Sequence, residues 1–403
     1  MSELYQLPDG WEWGKLGDLF TITSSKRVHK EDWLSSGVPF YRAREIVQLS
    51  KNGFVDNELF ISEEMYGSFT AKFGYPLTDD ILITGVGTLG VCYVVKDGDR
   101  FYFKDGNIIW LRKIVDITIS RFIEYSFKTE HVRSQIYSNS GSTVATYTIT
   151  NANNTNIPLP PLAEQKRIVQ KLDALFWRID KAIAVLQKNI DAADSFMNSV
   201  LNDVFSDLEQ NHPMALLFKI ADVNRGKSKH RPRNDKRLFG GNYPFIQTGD
   251  VRNASKYIAS YSNTYSEFGL SQSKLWHKGA ICMTIAANIG DVAILGLDSC
   301  FPDSVVGIFS ESESNEYLYY YLLTLKKQLE SKATTTAQMN INIKVLQDIE
   351  LPLPSVDIQK RTVKYLDYIS DQIAQVKSAQ QKKMQNLLDI KSSILDQAFH
   401  GKL

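Results

Sequence analysis

Cysteine is scarce in this sequence. Cys92, Cys282 and Cys300 are the only three in 403 residues. They lie far apart and form no Cys-x-x-Cys pair, which argues against a disulfide framework or a thiolate zinc site and leaves them as small apolar residues of a reducing, cytoplasmic setting. Histidine is equally sparse: His29, His131, His212, His230, His277 and His400 stand alone, and no serine or cysteine has the neighbours that mark a nucleophile. Excess charge is missing too, with Lys+Arg 46 against Asp+Glu 45 and a net charge of +1. A polycationic coat is excluded, so any nucleic-acid surface has to be local. No uninterrupted apolar stretch approaches the ~18 residues that span a bilayer. Met1 to Trp13 carries acids and Pro8 where a signal peptide carries basic residues and an apolar run.

What the sequence does have is a long internal repeat. Pro158-Leu159-Pro160-Pro161-Leu162-Ala163-Glu164-Gln165-Lys166-Arg167-Ile168-Val169 returns as Pro352-Leu353-Pro354-Ser355-Val356-Asp357-Ile358-Gln359-Lys360-Arg361-Thr362-Val363, an offset of 194. The same offset pairs Leu172 with Leu366, Asp173 with Asp367, Ile179 with Ile373, Leu201 with Leu395 and Phe205 with Phe399. Toward the N-terminus the match continues with shifted register: Ile81-Leu82-Ile83-Thr84 lies over Ile281-Cys282-Met283-Thr284, and Val38-Pro39-Phe40 over Tyr243-Pro244-Phe245. A period near half the chain is far longer than a solenoid unit, so each copy is expected to fold as a globular part followed by a helix.

Runs rich in Val, Ile, Tyr and Cys and bounded by Gly or Asp, such as 90–95 and 289–295, read as strands of a mixed α+β domain. After each Pro-rich stop the period changes. Val169, Leu172, Phe176, Ile179, Ile183, Leu186, Ile190, Ala193, Met197, Val200 and Val204 recur in steps of three and four, an apolar seam over five heptads that predicts a long helix from Leu162 to Phe205 packed on another helix. The second seam is weaker, with Ser370, Lys377 and Gln380 where the first has Phe176, Ile183 and Leu186. The two helices are expected to pair antiparallel.

Two motifs invite misreading. Gly85-Val86-Gly87-Thr88-Leu89-Gly90 matches GxGxxG, with Asp105 downstream, but Val91 to Val95 continue as strand where a cofactor site needs a helix. A tight strand-connecting turn fits better. Ala221 to Ser228 approaches a phosphate-binding loop, yet Lys229-His230-Arg231-Pro232-Arg233 cannot open an apolar helix, so phosphate contact is plausible and nucleotide hydrolysis is not.

Candidate DNA contacts come from loops. Arg225, Lys227, Lys229, His230, Arg231, Arg233, Lys236 and Arg237 crowd a segment whose one acid is Asp235; a solvated loop is the plain alternative. The first copy has Lys26, Arg27, His29 and Lys30 at the corresponding place, then Arg42 and Arg44, with Gln247 in the second copy's matching stretch. Before each helix runs a hydroxyl- and amide-rich loop, with Ser142, Thr143, Thr146 and Tyr147 in one copy and Thr335, Gln338 and Asn340 in the other. Such groups serve phosphates and base edges alike, although they also stabilise ordinary turns.

The recurring Pro-Leu-Pro phrase followed by Gln-Lys-Arg and a long helix, together with Leu7-Pro8-Asp9-Gly10-Trp11 and Leu16-Gly17-Asp18, resembles the specificity subunit of type I restriction-modification systems. The match runs the full length. It implies two target-recognition domains, 1–155 and 207–350, and two conserved helical spacers, 156–206 and 351–403, the spacers forming an antiparallel coiled coil. It further implies that each domain reads half of a split, asymmetric site on double-stranded DNA. Two methyltransferase subunits would bind the helices, and restriction/translocase subunits would join them. S-adenosylmethionine, ATP and Mg would belong to those partners, with no cofactor, metal or catalytic residue in this chain. Three readings compete with it: the recognition subunit of an enzyme with fused methylase and nuclease, a self-sufficient methyltransferase, and a coiled-coil scaffold without nucleic acid. The second of these needs a catalytic motif and the third leaves the two basic, non-identical copies unexplained.

Overall fold

The computed structural model describes residues 4–138, 145–286, 288–334 and 341–403. The chain divides into two compact units, Met1–Val185 with Lys382–Leu403, and Leu186–Gln381.

In the first unit, strands Phe20–Thr23, Ile108–Lys113, Ile81–Thr84 and Cys92–Val94 form an antiparallel sheet in that order. The second unit repeats it with Asp222–Arg225, Val305–Phe309, Ile281–Thr284 and Val292–Leu295, then adds Tyr257–Ile258 as a parallel edge. The β-rich runs Ile-Leu-Ile-Thr and Ile-Cys-Met-Thr are buried on both faces because they hold interior positions in the two sheets.

The turn after each interior strand is built alike. Thr84 Oγ1 accepts from the Val91 amide at 3.0 Å, as Thr284 Oγ1 does from the Asp291 amide at 3.1 Å. Gly90 (φ 73°) and Gly290 (φ 83°) close the two turns in the left-handed region, and a Cβ on Gly90 would lie 2.7 Å from Ile136 Cδ1. The last glycine of the GxGxxG match therefore closes a hairpin and opens no helix.

A short antiparallel pair roots each copy, Glu12–Lys15 with Asn156–Leu159 and Met214–Leu216 with Glu350–Pro352. The prolines that follow cannot donate to a ladder, and the chain turns straight into helix: Leu162–Asn211 in one copy, Val356–Phe399 in the other. The first helix runs beyond the predicted Phe205. All eleven residues of its predicted seam are buried or half-buried.

Each helix is fixed to its domain by a glutamine with no exposed surface. Gln165 Oε1 accepts from the Ile119 amide, and its Nε2 donates to the carbonyls of Ile117 and Pro160, all at 2.9 Å. Gln359 repeats the device: its Oε1 accepts from the Ser314 amide (3.0 Å), and its Nε2 donates to the Pro354 carbonyl (3.0 Å) and to Glu313 (2.6 Å). Ile119 and Ser314 are the N-cap residues of Ser120–Ser126 and Asn315–Thr324, so in both copies the glutamine holds the start of the helix that covers the sheet. Eight residues on, about 12 Å along the helix, a second contact repeats: the Tyr125 hydroxyl donates to Asp173 and the Tyr320 hydroxyl to Asp367. Arg121 joins Asp173 at 3.0 Å and Lys256 joins Asp367.

Within the first unit the two long helices run antiparallel. Asp180 meets Lys391 at 2.6 Å, while nearer the other end Arg167 donates to the Leu403 carbonyl at 2.7 Å. Leu172, Phe176, Leu395 and Phe399 share one core there. In the second unit Lys377 reaches Asp194 at 2.6 Å, and Val200 and Leu201 share a core with Leu366. Lys377 occupies the position of Ile183 in the repeat, so the weaker second seam exchanges an apolar residue for a lysine whose ammonium pairs with an acid on the other helix.

Gln165→Leu is expected to cost roughly 2–4 kcal/mol, because it removes the fully buried partner of an amide and two carbonyls. Lys166→Ala, one position along and exposed, should cost under about 0.5 kcal/mol. Urea unfolding of the two variants checks this, and equal midpoints would refute the role given to the glutamine.

Candidate nucleic-acid interface

The sheet ladders give the correspondence between copies. Ile22 pairs with Leu111 as Val223 pairs with Ile308, and Ile81 and Ile281 lie on the far side of those partners. Counting four residues out along the edge strand brings Lys26 over Lys227. Both are exposed, and both lie where the strand leaves the sheet.

In the first copy the Lys26 ammonium lies 5.6 Å from the ring of half-exposed Phe73, which Lys72 approaches at the same distance. Arg112 stacks on Trp110 at 4.6 Å. Cations held over aromatic faces keep their charge toward solvent while their stems stay ordered. Arg27 is exposed and its Nε donates to Asp105 at 3.0 Å.

Arg42 and Arg44 have structural work. Arg42 sits at the N-cap of Ala43–Asn52, and its guanidinium donates to Glu45 at 2.8 and 3.1 Å. Arg44 bonds to Glu45 as well and to Glu58 at 2.6 Å. Burial works to raise the Glu45 carboxyl, but hydrogen bonds from both arginines overcome it and hold the group below the usual carboxylate range. Arg44 remains exposed and Arg42 is half-buried.

The second basic loop separates into anchored and unanchored cations. Arg225 ends an edge strand and donates to the Ile341 carbonyl at 3.0 Å. Arg231 folds back on the carbonyls of Ser228 and His230. Arg233 Nη2 is held by both oxygens of Asp303, at 3.0 and 2.9 Å. Hydrogen bonds from Arg237 and His230 keep the Asp235 carboxyl far below its ordinary value. Lys227 and Lys229 are exposed, and no ion pair is formed by either among the described residues. Gln247, exposed at the N-cap of Thr248–Asn253, is the counterpart of Arg42: each lies two residues past a buried Phe (Phe40, Phe245) and three before the acid that takes its amide (Glu45, Asp250).

Thr146 is half-buried and bridges Val86 on the hairpin turn. Tyr147 corrects an expectation. It is 2 % exposed, its hydroxyl is bonded to Thr155 at 2.6 Å, and burial pushes that hydroxyl well above its ordinary value. A side chain so placed packs the core and cannot touch DNA. Ser142, Thr143, Thr335, Gln338 and Asn340 lie outside the described residues. Sequence reasoning missed Asp105 and Asp303, the acids that restrain Arg27 and Arg233, because each is distant from its arginine along the chain. Among the described residues no group of His, Cys, Asp and Glu could hold a metal ion, and no helix is long and apolar enough to cross a membrane.

The family model described as "Type I restriction modification DNA specificity domain" matches residues 8–188 and 216–384. The type I restriction enzyme MjaVIII specificity subunit of Methanocaldococcus jannaschii is 24 % identical, over 99 % of this chain and 94 % of its own. The type I restriction enzyme EcoKI specificity subunit of Escherichia coli K12 is 21 % identical, over 99 % and 90 %. A chain solved in work on complex assembly and conformational transition of the type I R-M system shares the fold, with a TM-score of 0.75 at 23 % identity over 99 % of this chain and all of that one.

Replacing Lys227 and Lys229 together by alanine is expected to flatten the dependence of log K on log salt by about two units and to weaken all duplexes alike. Tyr147→Phe should leave DNA affinity unchanged while lowering stability by about 1 kcal/mol. Binding titrations across salt concentrations decide the first; an unchanged slope assigns the two lysines to solvent.

Proposed function

Because this chain belongs to the family of the type I restriction modification DNA specificity domain, we propose that it is the DNA-recognition subunit of a type I restriction-modification complex, non-catalytic in itself. It reads a bipartite, asymmetric site on double-stranded DNA, one half-site per copy. The observation that carries this reading is the contrast within the repeat. Scaffold contacts are duplicated, from the Thr84 and Thr284 turns to the Gln165 and Gln359 anchors, while a matched position outside them differs in charge: Arg42 stands against Gln247. Two copies with one frame and two surfaces are what an asymmetric site asks for.

Partners dock on the long helices in this proposal: two methyltransferase subunits, joined by restriction/translocase subunits that bring S-adenosylmethionine, ATP and Mg to the assembly. Support comes from large side chains left bare on those helices, Trp177 (64 % exposed), Phe196 (55 %) and Tyr368 (61 %). Aromatic residues of this kind are enriched where surfaces associate.

Exchanging residues 207–350 for the corresponding segment of a relative tests it, with methylated sites mapped by sequencing in cells that carry the whole system. One half-site should change and the other persist. If both change together or neither does, the copies do not read independently.

A further inference from the structure

The two basic loops differ in sequence and length, yet each ties one arginine to an aspartate on the chain entering the same strand of the sheet. Arg27 bonds to Asp105, three residues before Ile108–Lys113, and Arg233 bonds to Asp303, two residues before Val305–Phe309. Arg27 is three residues beyond Ser24, whereas Arg233 is eight residues beyond Arg225, the residue that Ser24 matches in the ladder register, and follows Pro232. Unlike chain paths thus bring a guanidinium to the chain that enters the matching strand in each copy.

Stability does not account for the recurrence. Both arginines are more than half exposed, at 69 % and 54 %, and exposed pairs of this sort contribute little to folding. Phosphate binding does not account for it either, since an acid beside the cation cancels the charge that phosphate seeks; Lys227 and Lys229 serve that purpose better. What an acid gives an exposed arginine is orientation. A guanidinium fixed through one nitrogen keeps its remaining N–H groups in a set direction, as bidentate recognition of a planar acceptor pair requires. The surroundings of Arg233 agree: it lines a cleft with Ser228, Gln247, Thr248 and Ser304, side chains that also hydrogen-bond base edges.

The geometry points to Arg27 and Arg233 as the guanine-reading residues of the two copies, each donating to O6 and N7 in the major groove from a guanidinium that Asp105 or Asp303 holds in place. This rests on the DNA-recognition reading above and names side chains for it.

Arg27→Lys and Arg233→Lys test it, because lysine keeps the charge and loses the fork. In cells carrying the whole system, sequencing of methylated DNA should show a guanine in each wild-type half-site. Arg233→Lys should relax one G·C position of one half-site, with about ten- to hundred-fold loss of discrimination there. Arg27→Lys should do the same in the other half-site only, and Asp303→Asn should relax the Arg233 position partly. An unchanged motif overturns the assignment, as does relaxation spread evenly over a half-site. Should a variant methylate nothing, competition binding of the purified full chain to duplexes altered one base pair at a time decides, and equal weakening on every duplex overturns it. A wild-type chain that leaves no two-part pattern defeats the recognition reading itself, a result distinct from either.

Discussion

A glutamine side chain with no water to turn to sets the terms for each half of this molecule. Gln165 and Gln359 are fully buried where a long helix begins, and each has one acceptor and one amide nitrogen that the surrounding chain must satisfy. Satisfying them fixes the residue that caps the helix covering the sheet and the carbonyl of a proline between the root strand and the long helix. Helix, root strand and sheet cover are thereby held in one geometry. Hydrophobic burial supplies the driving force, with Leu172 and Leu366 inaccessible beside the glutamines, but burial tolerates sliding and rotation. A three-point polar contact does not, and the tyrosine–aspartate bond eight residues further on removes the rotation about a single anchor.

This division explains which parts of the two copies stay alike. Residues whose polar atoms are buried lack freedom to vary, since any change leaves a group unpaired at a cost of about 1–3 kcal/mol. Residues on the basic loops pay nothing comparable. Arg42 and Gln247 occupy one position, and their main-chain amides bond to the same kind of acid, yet their side chains present opposite chemistry. A frame that is rigid for reasons internal to itself leaves its outer surface available for unrelated tasks in the two copies.

The repeat was legible because duplicated physics leaves duplicated residues at a constant spacing, and the long helices because an apolar period of three and four cannot be hidden. The role of Gln165 was not legible, although the residue stood inside the most visible phrase of the chain. Its partner amide lies 46 residues away, and that of Gln359 lies 45 away; no local pattern encodes such a contact. Tyr147 misled for the same reason. A tyrosine in a hydroxyl-rich stretch looks solvent-facing until the fold carries Thr155 back to its hydroxyl. The pairing of Lys377 with Asp194 and of Lys391 with Asp180 was likewise invisible, and it shows how a seam can weaken in one helix without parting: where an apolar residue is missing, a lysine pairs with an acid across the interface.

The near-zero net charge then takes on a meaning beyond the exclusion of a polycationic surface. Unpaired cations raise affinity for any duplex, whatever its sequence, and a genome offers an enormous excess of wrong sites. Each acid placed beside a loop arginine subtracts from that indiscriminate attraction while fixing the direction of the hydrogen-bond donors that remain. Asp105, Asp303 and Asp235 all stand in that relation to a loop cation. On the proposed reading, a chain that must ignore most of the DNA it meets gains more from a few oriented guanidinium groups than from many free ones, and a balance of 46 basic against 45 acidic residues is compatible with that requirement.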